Sequence, residues 1–210
     1  DELYLKRLII GGFDRVYEIA KDFRNEGIDR NHNPEFTMLE FYLAYADYED
    51  CMELVEDLIR QSAEKIDAMN INWGGMDIDL SKKFIRKPFF ELLSEATGHN
   101  MADLDEKKLR EICTEKEISI DDDFNLGQIL DELMSELVEP KLIQPTFVID
   151  YPKEISPLAK AHRNGNPSIV ERFELFIGGA EFANSFSELN DPIDQRNRLE
   201  AQALLRERGD

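Results

Sequence analysis

The chain has 210 residues, of which 42% are hydrophobic and 33% charged, so it has enough apolar side chains for an ordinary globular core. This composition excludes a disordered chain, and no apolar run approaches the length that crosses a bilayer, so we expect no membrane contact. The 45 acidic and 25 basic side chains give a formal net charge of −20, which opposes nonspecific binding of polyanions.

The chain start and the cysteines predict a cytoplasmic protein that is a piece of a longer one. Cys51 and Cys113 lie in helix-like segments without metal-ligand spacing, which favours a reducing compartment over a disulfide framework. The first residues carry no basic and apolar leader, so we expect no secretion. Because the sequence does not start with Met, we also expect a processed or excised piece.

The first third of the chain predicts a helix, a long hairpin and a second helix. Residues 3–10 predict a short helix that the following glycine pair ends. Residues 14–24 and 35–45 alternate like two strands, and a polar loop joins them into a hairpin. Over residues 47–66 the apolar side chains recur at helical spacing, which predicts an amphipathic helix on one face of a sheet.

The rest of the chain predicts a helical insertion followed by strands. The insertion has a short strand at 76–80 and helices near 89–96, 105–117 and 126–139. Further strands are predicted at 146–150, 172–177 and 181–189, and a last helix runs from Asp191 through Arg208. This order predicts an α+β fold, an antiparallel sheet flanked by helices, in three segments: residues 1–69, 70–145 and 146–210.

The hairpin loop, FRNEGIDRNHNPEF, carries more hydrogen-bonding groups than a reversal of the chain needs. Five of its side chains suit a nucleotide: Arg24, Glu26, His32, Asn33 and Phe36. The arginine can bind a phosphate, the glutamate can accept from an exocyclic amine, and the ring can stack on a base. A merely charged hairpin turn is the alternative that the residues leave open.

Two strands carry acids on faces that are otherwise apolar or aromatic. Alternation puts Phe36, Met38, Glu40 and Tyr42 on one face of the second hairpin strand, and we expect Leu39, Phe41 and Leu43 on the other face to be core. The last strand likewise has Asn184, Phe186 and Glu188 on one face. Because half-buried carboxylates need a cation, Glu40 and Glu188 predict a site for a small ammonium ligand. Exposed or locally paired carboxylates remain the alternative.

A third pair of acids flanks the Gly178-Gly179 turn. Glu174 and Glu181 stand on either side of it, and one or two carboxylates near a phosphate are the usual protein ligands of Mg²⁺. Acids that merely face solvent are the alternative. Glu181 and Asn184 have opposite strand parity, so a bend or bulge must lie between them if both face one site.

These segments resemble the class II lysyl-tRNA synthetase family. The segments FRNEG, HNPEFTMLE and AYADY resemble motif 2 of that family. The region before motif 3 is similar to two further segments, RFELFIGGAEFANSFSELNDPIDQR and LIQPTFVIDYPKEISPLAK. The resemblance covers nearly the whole chain and implies the class II fold. It also implies lysine activation with ATP to give lysyl-adenylate and pyrophosphate, and then transfer to tRNA(Lys).

The resemblance implies a role for each candidate residue. Arg24 would be catalytic, contacting the α-phosphate and the lysine carboxylate, while Glu26, His32, Asn33 and Phe36 would bind ATP. Glu2 would accept from the α-ammonium of lysine. Glu40, Tyr42 and Glu188 would surround the ε-ammonium, and Asn184 and Phe186 would complete the lysine pocket. Glu174 and Glu181 would hold Mg²⁺.

The family's motif 1, motif 3 and anticodon-binding domain have no counterpart in the 210 residues. We therefore expect a fragment of the catalytic domain that is weak or inactive alone, from an enzyme that is a homodimer at full length. A paralogue that lysylates a translation factor and a noncatalytic remnant that binds lysine or a nucleotide are the alternatives.

Overall fold

A computed structural model describes residues 2–25, 27–28, 32–101 and 105–206. The chain forms two compact units, residues 1–46 and residues 47–210. The first unit contains the hairpin and the helix before it, and the second unit contains all other helices and strands.

The first unit consists of α1 (Glu2–Ile10), β1 (Arg15–Phe23) and β2 (Glu35–Leu43), which confirms the predicted helix and hairpin. The two strands pair antiparallel over their full length, from Arg15 opposite Leu43 to Phe23 opposite Glu35. Helix α1 contacts both strands and buries Leu5. The alternation of side chains along both strands produces this regular ladder.

The predicted core face of the hairpin is wrong. Leu39 is 39% exposed and its cross-strand partner Ile19 is 67% exposed, while Phe41 and Leu43 are only half-buried. Within the unit, α1 lies on the other face, where the Lys6 ammonium is 5.5 Å from the centre of the Tyr42 ring. Alternation identifies the residues that share a face, but it does not say which face a neighbouring element covers.

The second unit has five helices and six strands in its described residues. They are α2 (Tyr48–Lys65), β3 (Asn70–Trp73), β4 (Met76–Asp79), β5 (Ile85–Pro88), α3 (Phe89–Thr97), α4 (Glu106–Glu115), α5 (Leu126–Leu137), β6 (Thr146–Ile149), β7 (Arg172–Ile177), β8 (Ala180–Phe186) and α6 (Pro192–Arg206). Short 3₁₀ turns follow α5 and β6. The predicted end of the last helix at residue 208 lies outside the described residues. None of the helices in the described ranges is both long and apolar enough to cross a membrane.

The main sheet has the order β5-β6-β7-β8 and is antiparallel except for the parallel pair β5-β6. The predicted α+β class is confirmed, and the parallel pair was not predicted. The four-residue strands β3 and β5 were also not predicted, because such short segments contain too few residues to show a period. Strands β3 and β4 form a separate hairpin.

Helices cover both faces of the main sheet. Val148 and Phe176 belong to a buried cluster with α3, α4 and α5. Helix α2 contacts β7 and β8, and its Cys51 thiol is hydrogen-bonded to Ser185. Ser185 pairs with Phe173, which lies on the face of β7 opposite to that of Phe176. The sheet therefore lies between two helical layers, and the polar residues of β7 and β8 lie at the margin of one layer.

Arg163 connects the start of α2 to the sheet region. The side chain of Asp47 caps α2 by accepting from the backbone N–H groups of Glu49 and Asp50. Arg163 donates to both carboxylate oxygens of Glu171 at 2.7 and 3.1 Å, and to Asp47 at 2.8 Å. The Glu171 side chain is only 4% exposed, so this arginine compensates a buried charge.

Candidate functional site

The half-buried face of the hairpin concentrates negative charge. The Tyr42 hydroxyl donates to the Glu40 carboxylate at 2.6 Å, and both side chains lie on the same face of β2. Glu18 stands directly opposite Glu40 in the β1-β2 ladder. Like charges in this position repel each other, so a cation bound between them would relieve the repulsion. The sequence alone did not identify Glu18 as a site residue, because a cross-strand neighbour is known only once the register is known.

An ammonium group already lies at this face. Lys6 on α1 is 2.7 Å from the Glu2 carboxylate and 5.5 Å from the centre of the Tyr42 ring. Glu2, predicted to accept from the α-ammonium of lysine, therefore accepts from a lysine side chain of its own helix. The contact shows that Glu2 and Tyr42 together can surround an alkylammonium ion.

The loop side chains predicted to bind ATP are only partly brought together. The Arg24 guanidinium lies 5.2 Å from the centre of the Phe36 ring, and both are at the loop end of the hairpin. The Asn33 amide donates to the backbone oxygen of Glu35 at 2.6 Å, which turns it back onto its own strand. His32 is exposed. Glu26 lies outside the described residues. Since Arg24 covers one face of the Phe36 ring, a stacked base would use the opposite face.

In the second unit, Glu174 is the centre of a hydrogen-bond network. Arg172 donates to one of its carboxylate oxygens, and the Tyr151 hydroxyl donates to the other at 2.7 Å. The Asn184 amide N–H lies 3.3 Å from Glu174, and its carbonyl accepts from Arg172 at 3.3 Å. The carboxylate of Glu174 is only 13% exposed. The network therefore compensates its charge and fixes the orientation of the Asn184 amide.

Tyr151 keeps its proton in this network. Burial raises the pKa of its hydroxyl well above 10, and the charge of Glu174 raises it further. The sequence alone identified neither Arg172 nor Tyr151 as a site residue. Arg172 stands two residues before Glu174 on one strand face, which could have indicated the pair, whereas Tyr151 comes from another strand end and gives no such signal.

A β-bulge brings Glu181 and Asn184 onto one face. Asn184 pairs with Glu174 and Glu181 pairs with Phe176, so β8 takes three residue steps where β7 takes two. The extra residue is Phe182. The irregularity that their parity required is thus present between Glu181 and Asn184.

Glu174 and Glu181 are the two acids that the sequence predicts as Mg²⁺ ligands. In the described part of the chain, no three His, Cys, Asp or Glu side chains form a group that could hold a metal ion. Glu174 and Glu181 can therefore serve only a cation that takes most of its ligands from elsewhere, and Mg²⁺ bound to a triphosphate is such a cation. Glu139 lies near both, and burial, followed by the charges of Glu174, Asp131 and Glu181, raises its pKa to about 7.

The last two candidate lysine contacts lie at the end of β8. Phe186 is half-buried and packs against the helical cluster. Glu188 is exposed and follows the strand, which ends three residues earlier than predicted, and its backbone bridges to Ala159. Glu40 and Glu188 belong to different units, so their joint contact with one cation stays a prediction.

The comparisons with known proteins identify the family of the chain. The family model of the tRNA synthetases class II (D, K and N) matches residues 1–209. Lysine–tRNA ligases of Christiangramia forsetii and Porphyromonas gingivalis are 49% and 47% identical over 211 residues, and that of Carboxydothermus hydrogenoformans is 50% identical over 210 residues. These matches cover 99% to 100% of the chain but only 36% to 43% of the relatives' length. The chain belongs to the family of class II tRNA synthetases for D, K and N.

Proposed function

We propose that the chain is the central part of the catalytic domain of a lysyl-tRNA synthetase. Such an enzyme activates lysine with ATP to lysyl-adenylate and then transfers the lysyl group to tRNA(Lys). The observation that carries the proposal is the similarity of the whole chain to lysine–tRNA ligases, at up to 50% identity. The acidic hairpin face gives the similarity a chemical reason, because it suits a positively charged amino acid.

Lysine recognition rests on charge compensation. Glu40, with Glu18 opposite and Tyr42 bonded to it, offers negative charge to the ε-ammonium of lysine. Glu2 takes the α-ammonium in exchange for its contact with Lys6. A neutral isostere of lysine would leave these acids uncompensated, so the site discriminates strongly against it.

Three residues of the second unit are the remaining candidate lysine contacts. Asn184 presents its amide in the orientation that Arg172 and Glu174 impose, and Phe186 supplies an aromatic wall. Glu188 adds a second carboxylate for the ε-ammonium. In this arrangement Arg172 acts through Asn184 and needs no contact with lysine.

Activation requires positioning more than acid–base chemistry. The lysine carboxylate is already ionised at neutral pH, so it attacks the α-phosphate without a general base. Arg24 holds the carboxylate and the α-phosphate together and compensates the charge that develops there. His32, Asn33, Phe36 and Glu26 bind the rest of ATP. Bound Mg²⁺ would supply charge compensation on the phosphates, and Glu174 and Glu181 are the residues that would hold it.

The remaining parts of the proposal concern the complete enzyme. The 210 residues carry a net charge of −20, which opposes binding of a polyanion. Other parts of the enzyme therefore supply most of the affinity for tRNA(Lys). A homodimer in the cytoplasm is the expected form. In the isolated chain we expect weak activity or none.

The test is lysine-dependent ATP–pyrophosphate exchange by a full-length enzyme that contains this chain. We expect exchange in the wild type and a loss of about 100-fold or more in Arg24→Ala, because it removes a charge contact at the reacting phosphate. Glu188→Gln should raise the KM for lysine. Lys21→Ala is the matched control, since Lys21 lies on the same hairpin in an exposed ion pair with Glu35.

Three results would separate the alternatives. Exchange that survives both Arg24→Ala and Glu188→Gln contradicts the residue roles. Lysine transfer to a translation factor in place of tRNA(Lys) identifies the synthetase-like paralogue. Binding of lysine or ATP without any exchange identifies a noncatalytic remnant.

A further inference from the structure

The β3-β4 hairpin brings the single tryptophan of the chain against the turn between β7 and β8. Gly178 in this turn has a φ of 62°, which favours glycine. A Cβ atom added to Gly178 would lie only 2.7 Å from two ring carbons of Trp73. The indole ring is therefore packed directly on the backbone of the turn.

The same turn is also hydrogen-bonded to the segment that follows α5. The backbone N–H of Gly178 donates to the carbonyl of Ile143 at 2.9 Å, and that of Gly179 donates to Leu142 at 3.1 Å. The turn is thus held by two backbone hydrogen bonds and by the Trp73 ring. Removal of the ring leaves the two hydrogen bonds in place.

Trp73 also contacts the bulge. Its ring meets the ring of Phe182 edge to face, with 6.3 Å between centres and an interplanar angle of 84°. The two rings border a cavity of about 440 Å³ whose other walls include Leu58, Ile71 and Ile177. The Phe182 side chain is 56% exposed, so the contact with the Trp73 ring is a large share of the packing at the bulge.

We propose that Trp73 is a positioning residue for the candidate lysine and metal site. It fixes the turn and the bulge, and the bulge determines that Glu181 lies on the same face of β8 as Asn184. A ladder without the bulge would place these two residues on opposite faces, because a shift of one residue turns every side chain over. The inference rests on the proposed function for the roles of Glu181 and Asn184, and it assigns a task to a hairpin that the proposed function does not use.

Amide hydrogen exchange of residues 178–186 tests this inference on the 210-residue chain. In Trp73→Ala we expect these amides to exchange about tenfold faster or more, because local opening of the bulge becomes easier. Trp73→Phe keeps an aromatic ring on Gly178 and should stay within about threefold of wild type. Ile71→Ala is the matched control: Ile71 lies on the same strand and lines the same cavity, so it reports general loosening of the hairpin.

A second readout comes from the full-length enzyme. Trp73→Ala should raise the KM for lysine by about tenfold, and it should raise by about tenfold the Mg²⁺ concentration that gives half-maximal ATP–pyrophosphate exchange. Trp73→Phe should restore both values. Ile71→Ala should change neither. If Trp73→Ala does not fold, Phe182→Ala removes the same ring contact from the other partner, and it should have the same effect on residues 178–186.

Two results would overturn the inference. One is an exchange rate over residues 178–186 that stays at the wild-type value in Trp73→Ala or, in its place, in Phe182→Ala. The other is an equal increase in Ile71→Ala, which would mean that the whole hairpin loosens. Hydrogen exchange needs no substrate, so it tests the inference even when the enzyme shows no lysine-dependent activity. A lack of lysine-dependent activity would overturn the proposed function alone.

Discussion

Two glutamates of the candidate site stand in opposite electrostatic surroundings. In the second unit, Glu174 accepts from an arginine, a tyrosine and an asparagine, and its side chain is almost buried. In the first unit, Glu40 accepts from the hydroxyl of Tyr42 and faces a second carboxylate, Glu18, across the ladder. Among the described residues, no basic side chain forms an ion pair with Glu40.

The comparison distinguishes a carboxylate whose charge the fold compensates even without a ligand from one whose charge only a ligand would compensate. Removing Arg172 leaves the nearly buried carboxylate of Glu174 without a cation, so the cost falls on the stability of the protein. Neutralising Glu40 removes repulsion with Glu18, so the cost falls on ligand binding and not on stability. The following variants test this division.

The largest expected effect is that of Arg172→Ala. The variant leaves the buried Glu174 without its cation, and we expect the free energy of unfolding to fall by about 3–5 kcal/mol. Urea unfolding followed by circular dichroism measures it. Lys21→Ala breaks the exposed ion pair with Glu35 and should cost no more than about 0.5 kcal/mol. Equal losses in the two variants would contradict the distinction.

Glu40→Gln should show the reverse pattern. We expect kcat/KM for lysine in the full-length enzyme to fall by about 100-fold, because a buried site that lacks one charge no longer matches the ammonium group. The free energy of unfolding should stay within about 0.5 kcal/mol of wild type, since the repulsion by Glu18 disappears. A variant that unfolds easily but binds lysine normally would reverse the roles assigned to the two acids.

Arg163→Ala extends the comparison to a third acid, Glu171, and adds a pH dependence. Burial acts to raise the pKa of Glu171, but the bonds from Arg163 outweigh burial and hold the pKa below 4.5. A lowered pKa gives stability that is present above the unfolded value and is lost as the pH falls through the folded value. We expect the variant to lose about 2 kcal/mol at pH 7, less than for a fully buried pair because Arg163 is half exposed.

At acid pH the effect of Arg163→Ala should shrink. As the pH falls through the folded pKa of Glu171, wild type also loses the ion pair, so the stability difference between the two proteins should be smaller at pH 3 than at pH 7. Urea unfolding at pH 7 and pH 3 measures the two differences. A deficit that is the same at both values would mean that Arg163 acts by packing alone.

Tyr151→Phe should have the smallest effect. It removes one neutral donor to Glu174 while Arg172 and Asn184 remain, so we expect a loss of about 1–2 kcal/mol. Thermal unfolding measures it, and the double variant with Arg172→Ala shows whether the two donors act together. If the loss exceeds that of Arg172→Ala, the order of the two contributions is wrong.

The sequence was sufficient for features that depend on local periodicity. The hairpin, α2 and the class of fold follow from alternation and helical spacing. The bulge was predicted on the condition that Glu181 and Asn184 face one site, because their parity is opposite. The exposure of Leu39 was mispredicted because both hairpin faces carry apolar residues, and only the position of α1 distinguishes them. Glu18 and Tyr151 reach the site through strand pairing and tertiary contact, which no local pattern records.

The parallel pairing of β5 with β6 has a consequence for shortening the chain. Two adjacent parallel strands cannot be joined by a tight turn, so residues 89–145 are the crossover that makes this pairing possible. The same residues contribute most of the cluster that buries Val148 and Phe176. A shortened version of the enzyme could lose surface residues of this connection. The helices of the connection could be removed only if another crossover of similar apolar content replaced them.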